Sequence, residues 1–461
     1  MLFNSFEFMF LFLPLTFAGF FYLGHKGQKQ LATLWLVLAS FFFYGYWDMR
    51  YVPLLFGSIC FNYLVGKQLE ANNGHKGWLA FGIVINVLLL GYFKYTDFFL
   101  STLNDVTRTN FFDLPHIILP LGISFFTFTQ TAYLMDAYRG EAKNQSFATY
   151  CEFVTIFPHL IAGPIINHKE MIPQFVADKT FRINYENIAL GLMIFTFGLF
   201  KKVVIADKLA IYANEAFSHT DSLTCVEAWI GALSYTLQLY FDFSGYSEMA
   251  IGLALLFNLK IPVNFNSPYQ ARSIIDFWRR WHMTLGLWVK NYLYIPMGGN
   301  RHGELKKMRN LFVSMLIIGL WHGAGWTFII WGGLHGLLLM INHAWRRTSI
   351  TLPKVMNWGI TFLCVVICWV FFRAGSLQEA LSILNSMTTM QSMFLGDKKN
   401  NELLAELFLV IIILTRLPNT LILLRHFQPN NKWILIASIM LLFSLYGVAL
   451  VGTGEFLYFQ F

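Results

Sequence analysis

Long apolar runs recur along this chain from end to end, and nothing else in the sequence restricts its fold as strongly. They lie near residues 6–24, 31–46, 51–66, 78–93, 115–135, 147–166, 186–206, 224–245, 310–342 (broken), 355–372, 402–424 and 432–451. A straight helical crossing of a bilayer takes about 20 residues, so the shorter runs are expected to be tilted, re-entrant or shielded inside a bundle. Of the 461 residues, 56% are hydrophobic, 18% aromatic and only 13% charged. Charged residues make up roughly 25% of soluble proteins. A soluble domain of this size has no interior large enough to hide so much apolar surface. The runs therefore predict an all-α polytopic membrane protein. The sequence holds neither an internal repeat nor a low-complexity linker, and the simplest organisation is one membrane domain over residues 1–461.

Charge gives the expected orientation. Lys26 and Lys29 occupy one loop and Lys67 and Lys76 the next on the same side, while Asp48 and Arg50 cancel in the turn between them. By the positive-inside rule those basic loops are cytoplasmic and the N-terminus lies outside. Met1-Leu2-Phe3-Asn4-Ser5-Phe6-Glu7 has no basic start, so the first run reads as a retained span, not a cleaved signal. The net charge of +8 fits basic cytoplasmic loops; no basic stripe points to a nucleic-acid partner. Five cysteines are scattered, and Cys364 and Cys368, one helical turn apart, have no histidine or acid beside them. They read as small apolar fillers, with no metal expected.

The polar residues gather between about 240 and 345. Polar groups inside apolar surroundings are costly and default to a functional hypothesis. In Gln238-Leu239-Tyr240-Phe241-Asp242-Phe243-Ser244-Gly245-Tyr246-Ser247-Glu248, Asp242 is either functional or a tie to a neighbouring helix end, and Ser244-Gly245 is expected to break the helix. Pro262 and Pro268 bracket Val263-Asn264-Phe265-Asn266-Ser267, which cannot be a straight helix. Ser273, three residues before Asp276, marks a helix start. That start predicts an amphipathic helix through Asp276-Phe277-Trp278-Arg279-Arg280-Trp281-His282. From Arg272 to Arg309, basic residues including Arg279, Arg280, Lys290, Arg301, Lys306 and Lys307 face only Asp276 and Glu304. Such a face suits either anionic headgroups or a cytoplasmic mouth that attracts a phosphorylated donor such as a coenzyme A thioester.

Gly319-Leu320-Trp321-His322-Gly323-Ala324-Gly325-Trp326 places one histidine between tryptophans and glycines inside an apolar run. Gly323 and Gly325 permit a kink or close backbone approach. Trp321 and Trp326 are expected to wall a narrow cavity. Burial keeps an imidazole neutral, and a neutral imidazole can take a proton from an attacking alcohol, as acyl transfer requires. The competing role is a packing histidine bonded to a backbone carbonyl. His335 and His343 read as structural.

The run from Gln238 to Asn300, with Trp278-Arg279-Arg280-Trp281-His282 and Tyr294-Ile295-Pro296-Met297-Gly298-Gly299-Asn300, followed by Trp321-His322-Gly323-Ala324, resembles the membrane-bound O-acyltransferases. It is most similar to the bacterial branch typified by the membrane subunit of alginate O-acetylation, with relatives acting on peptidoglycan. The teichoic-acid D-alanylation membrane protein belongs to the same superfamily. The resemblance implies a ring of about 11–13 transmembrane and re-entrant helices around a central tunnel, with a catalytic core over approximately 115–345. It implies His322 as the catalytic histidine and His282 as a second one that gates or orients. Asp242, Trp278, Arg279, Arg280, Trp281, Asn300, Trp321 and Trp326 become tunnel or donor-site candidates.

The same resemblance implies acetyl-CoA as donor substrate with no bound cofactor, the bacterial inner membrane, and a periplasmic acetyltransferase of SGNH type as partner. That partner would decorate an envelope polysaccharide. The aromatic tail at 455–461 has the composition of an interfacial anchor, yet it also resembles family endings that imply Tyr458 as an acyl relay. D-alanyl transfer is the alternative within the enzyme class. A proton-coupled transporter or flippase is the rival outside it, and the absence of repeated halves argues against that rival.

Overall fold

The computed structural model describes residues 1–143, 145–389, 398–454 and 456–457. Among them the ordered elements are helices throughout. Among the described residues, six helical segments are long and apolar enough to cross a membrane: Phe8–His25, Lys76–Thr107, Tyr185–Ser218, Trp326–Trp345, Lys354–Arg373 and Asn431–Leu450. The chain is an all-α, multi-pass membrane protein.

The apolar runs become helices where no proline interrupts them. Lys29–Gly45 and Val52–Ala71 follow their runs closely. The 115–135 run yields a helix only over Ile123–Tyr138, because Pro120 and Gly122, with φ +71°, delay its start. The 147–166 run splits into Phe147–Thr155 and Phe157–Leu160 at Ile156, two residues before Pro158, whose ring starts a new helix but cannot continue the old one. Ser244 and Gly245 do not break their helix, which runs unbroken over Cys225–Leu256. Gly costs a helix only about 1 kcal/mol, and both positions lie in a stretch buried on all sides, where leaving the backbone unpaired would cost more.

Two compact units divide the chain. One comprises Met1–Leu199, Tyr246–Pro262 and Pro429–Gln460. Its core holds an aromatic cluster of Phe3, Phe8, Phe12, Phe43 and Phe157, with neighbouring rings 5.0–5.9 Å apart. Asn62 and Asn86 exchange amide hydrogen bonds of 3.2 and 2.7 Å between two adjacent helices, which satisfies both amides away from water. Lys29 pairs with Asp178, and the Asn258 amide donates to the carbonyls of Lys179, Thr180 and Arg182. These bonds bring three loops to one end of the unit.

The other unit comprises Phe200–Gly245 and Val263–Gln428. Its centre is a helical hairpin, Glu304–His322 followed by Trp326–Trp345. A Cβ on Gly319 would strike the Phe328 carbonyl, and one on Gly332 would strike the Met315 carbonyl. Glycine at these two positions lets the hairpin's backbones touch. At the open end Glu304 pairs with Lys307 and Arg347, so the two ends meet on one side.

Candidate active site

His322 is the last residue of the first hairpin helix and stands at the hairpin tip, 4% exposed. Gly323 and Gly325 adopt extended backbone and turn the chain before the second helix starts at Trp326. The kink expected from the glycines is there. Around the imidazole stand Trp321 at 4.8 Å, Trp331 at 5.1 Å and Phe372 at 5.2 Å between ring centroids. Trp326 is 54% exposed. It lies about 140° around the helix from Trp331, at 100° per residue, so only one of the two can face the core.

His282 is fully buried and lies in the same unit. It does not close a long amphipathic helix. The helix capped by Ser273, which accepts from Asp276 N at 3.1 Å, covers only Ile274–Trp278. His282 then caps Met283–Val289 with left-handed backbone, φ +44°. A non-glycine residue in that region costs about 1–3 kcal/mol and persists only where its surroundings hold it. They do so through Asn264, from the extended stretch between the two prolines. Asn264 O accepts from Met283 N at 2.9 Å. Asn264 Oδ1 accepts from Thr284 Oγ1 at 2.7 Å and lies 3.1 Å from His282 Nδ1. With an amide oxygen as partner, Nδ1 carries the proton and Nε2 is the basic nitrogen. His282 lies outside the six spanning helices, and burial pushes its imidazole down to about 3. Phe243 at 4.8 Å and Trp321 at 6.4 Å flank the ring. Trp321 thus touches both histidines.

The remaining candidates sort by position. Asp242 is buried and 2.7 Å from Lys202 Nζ, which also holds Asp207 at 2.7 Å; this is the helix tie, made across the π-helical turn Lys201–Ala206. Trp278 donates from Nε1 to His335 Nδ1 at 3.2 Å, and Trp281 is buried against Trp369 at 4.9 Å. Arg280 pairs with Asp276 at 2.9 Å. Arg279, Lys290, Arg301 and Lys306 make no ion pair among the described residues, and all four are exposed. Asn300 is exposed at the end of a glycine turn, Gly298 and Gly299 having φ of +101° and +55°. Asn310 donates to the carbonyls of Met297 and Gly299 at 3.1 and 3.0 Å and fixes that turn. Tyr458 lies outside the described residues.

The family model described as MBOAT, membrane-bound O-acyltransferase family, matches residues 17–377. The chain belongs to that family. It is an O-acyltransferase. This member is 46% identical to the peptidoglycan O-acetyltransferase of Helicobacter pylori, over 100% of this chain and 98% of that one. It is 44% identical to the probable alginate O-acetylase AlgI of Pseudomonas aeruginosa, over 84% and 75%. With the teichoic acid D-alanyltransferase of Bacillus subtilis it shares 29% identity over 57% and 69%. His322 and His282 are the buried imidazoles that share the Trp321 ring. Asn264 and Trp331 were missed as site residues. The bracketing prolines signal the irregular stretch that holds Asn264, but no local pattern pairs it with His282.

Proposed function

We propose that this O-acyltransferase passes an acetyl group from cytoplasmic acetyl-CoA across the bacterial inner membrane for O-acetylation of an envelope polysaccharide of the peptidoglycan or alginate kind. The observation that carries the proposal is His322, buried at the tip of a helical hairpin, with His282 held beside the same tryptophan. His322 takes the proton of an attacking hydroxyl. The oxygen bonds to the thioester carbonyl carbon, the carbon–sulfur bond breaks, and the proton passes to the departing thiolate. His282 orients the attacking group or gates its entry through its basic Nε2. Arg279, Lys290, Arg301 and Lys306 attract the phosphates of the donor to the cytoplasmic mouth. That orientation places the N-terminus outside. It is supported by Lys26, Lys29, Lys67 and Lys76, which put the basic loops on the cytoplasmic side by the positive-inside rule. The names of the Helicobacter and Pseudomonas relatives support acetyl as the group and an envelope glycan as its destination. A periplasmic acetyltransferase of SGNH type then completes transfer to the polymer, with Tyr458 as the relay between the two enzymes.

The test is His322→Ala in cells, with base-labile acetate measured on isolated envelope polysaccharide. Loss of a positioned general base costs about 10²- to 10⁴-fold, so acetylation should fall to background while the protein inserts at its normal level. Unchanged acetate on the polymer would remove His322 from the chemistry.

A further inference from the structure

His335 stands in the second hairpin helix with no exposed surface, inside a box of aromatic rings. Phe277 stacks on it at 6.1 Å and 8°, while Trp278, Trp331 and Trp369 approach at 5.1, 4.9 and 6.1 Å. A site that needed only filling would take an apolar ring there, because burying an imidazole carries a desolvation cost. Its polarity is used once among the described residues: Nδ1 accepts the indole N–H of Trp278 at 3.2 Å. An indole can only donate, so this bond fixes the tautomer with the proton on Nε2. Nε2 has no hydrogen-bond partner among the described residues. One directed bond is therefore what this imidazole adds to the packing.

That bond lies between the two histidines assigned to the chemistry. Trp278 is the last residue of its helix, four residues before His282. The turn from 279 to 282 is pinned at its far end by Asn264 and at its near end by His335. On the other side His335 packs against Trp331, whose ring meets His322 at 5.1 Å and 90°. One imidazole therefore touches both the turn that carries His282 and the wall of His322.

We infer that His335 is a positioning residue for acyl transfer, locking the Trp278 end of the His282 turn and the Trp331 wall of His322 into one register. The inference rests on the reading that His322 and His282 perform the chemistry. Small displacements of catalytic groups cost about 10²-fold even when the altered residue is remote from the reacting atoms. Asparagine carries its side-chain oxygen close to where histidine carries Nδ1, so His335→Asn keeps the acceptor for Trp278. Phenylalanine keeps the ring and removes the acceptor.

The experiment measures acceptor acetylation against acetyl-CoA concentration in membranes holding the full chain, normalised to folded protein by size-exclusion fluorescence. His335→Phe should lower kcat by about 10- to 100-fold while leaving KM for acetyl-CoA unchanged, and His335→Asn should restore most of that loss. Trp278→Phe should cost as much as His335→Phe, with the double variant no worse than either. A wild-type kcat in His335→Phe, an Asn variant as poor as the Phe variant, or additive losses would each overturn the inference. If His335→Phe fails to fold, Trp278→Phe against the wild type decides it by the same kcat criterion. His322→Ala, assayed in parallel, separates the two readings. An active His322→Ala refutes the histidine assignment, whereas an inactive one beside a normal His335→Phe refutes this inference alone.

Discussion

Asn264 shows how one amide can set the behaviour of a buried histidine. Its carbonyl oxygen receives Thr284 Oγ1 at 2.7 Å and lies 3.1 Å from His282 Nδ1, so the proton is held on Nδ1 and Nε2 is left basic. Without it, a buried N–H and a buried hydroxyl lose their acceptor, at a cost of about 1–3 kcal/mol. The left-handed backbone at His282 then loses a support it requires. Asn264→Ala should therefore reduce turnover by about 10- to 100-fold, on the scale of other displaced groups. Thr284→Ala, which leaves the His282 contact in place, should reduce it less. Comparing acetylation rates at equal folded protein tests the order of the two. Equal rates would mean that His282 is oriented by something other than Asn264.

At the scale of the element, the hairpin of Glu304–His322 and Trp326–Trp345 depends on backbone approach. Gly332 faces the Met315 carbonyl with no room for a Cβ, whereas a Cβ on the adjacent Gly333 meets its nearest neighbour, Leu316 Cδ2, at 3.6 Å, an ordinary contact. In lipid, helix association relies on such small-residue packing because apolar burial gives no preference for protein over tails. Gly332→Leu should force the helices apart at a cost of about 1–3 kcal/mol or more. It should also move His322 and abolish activity. Gly333→Ala should leave both stability and activity close to wild type. A heat-challenge profile of the detergent-solubilised protein, read beside the acetylation rate, distinguishes these outcomes. The unbroken Cys225–Leu256 helix makes the complementary point: Ser244 and Gly245 look like a break, but a surround buried on every side outweighs weak propensity.

At the level of the whole molecule, the proposed transfer requires the acetyl group to leave the protein. Of the tail at 455–461, the described residues Phe456 and Leu457 are buried. Phe456 is buried against Tyr246 at 4.5 Å, and Asn4 donates to the Gly454 carbonyl at 3.3 Å. If Tyr458 relays the acyl group, the C-terminal peptide of wild-type protein incubated with acetyl-CoA should gain the mass of one acetyl group, and Tyr458→Phe should not. An unmodified wild-type peptide under turnover conditions would remove the relay and leave direct transfer. The membrane setting, most of the helix positions and the singling out of His322 can be read from the amino-acid order alone. Each of these rests on local properties: transfer of apolar runs from water to lipid, proline punctuation, and a polar residue stranded among tryptophans and glycines. Packing brings Trp331 to the His322 ring, pairs Asp242 with Lys202, and holds His282 in a left-handed turn. Two of these depend on partners distant in the chain, 40 residues for Lys202 with Asp242 and 18 for Asn264 with His282. Such bonds are set by how helices rotate and pack against one another, a property that no stretch of sequence carries alone.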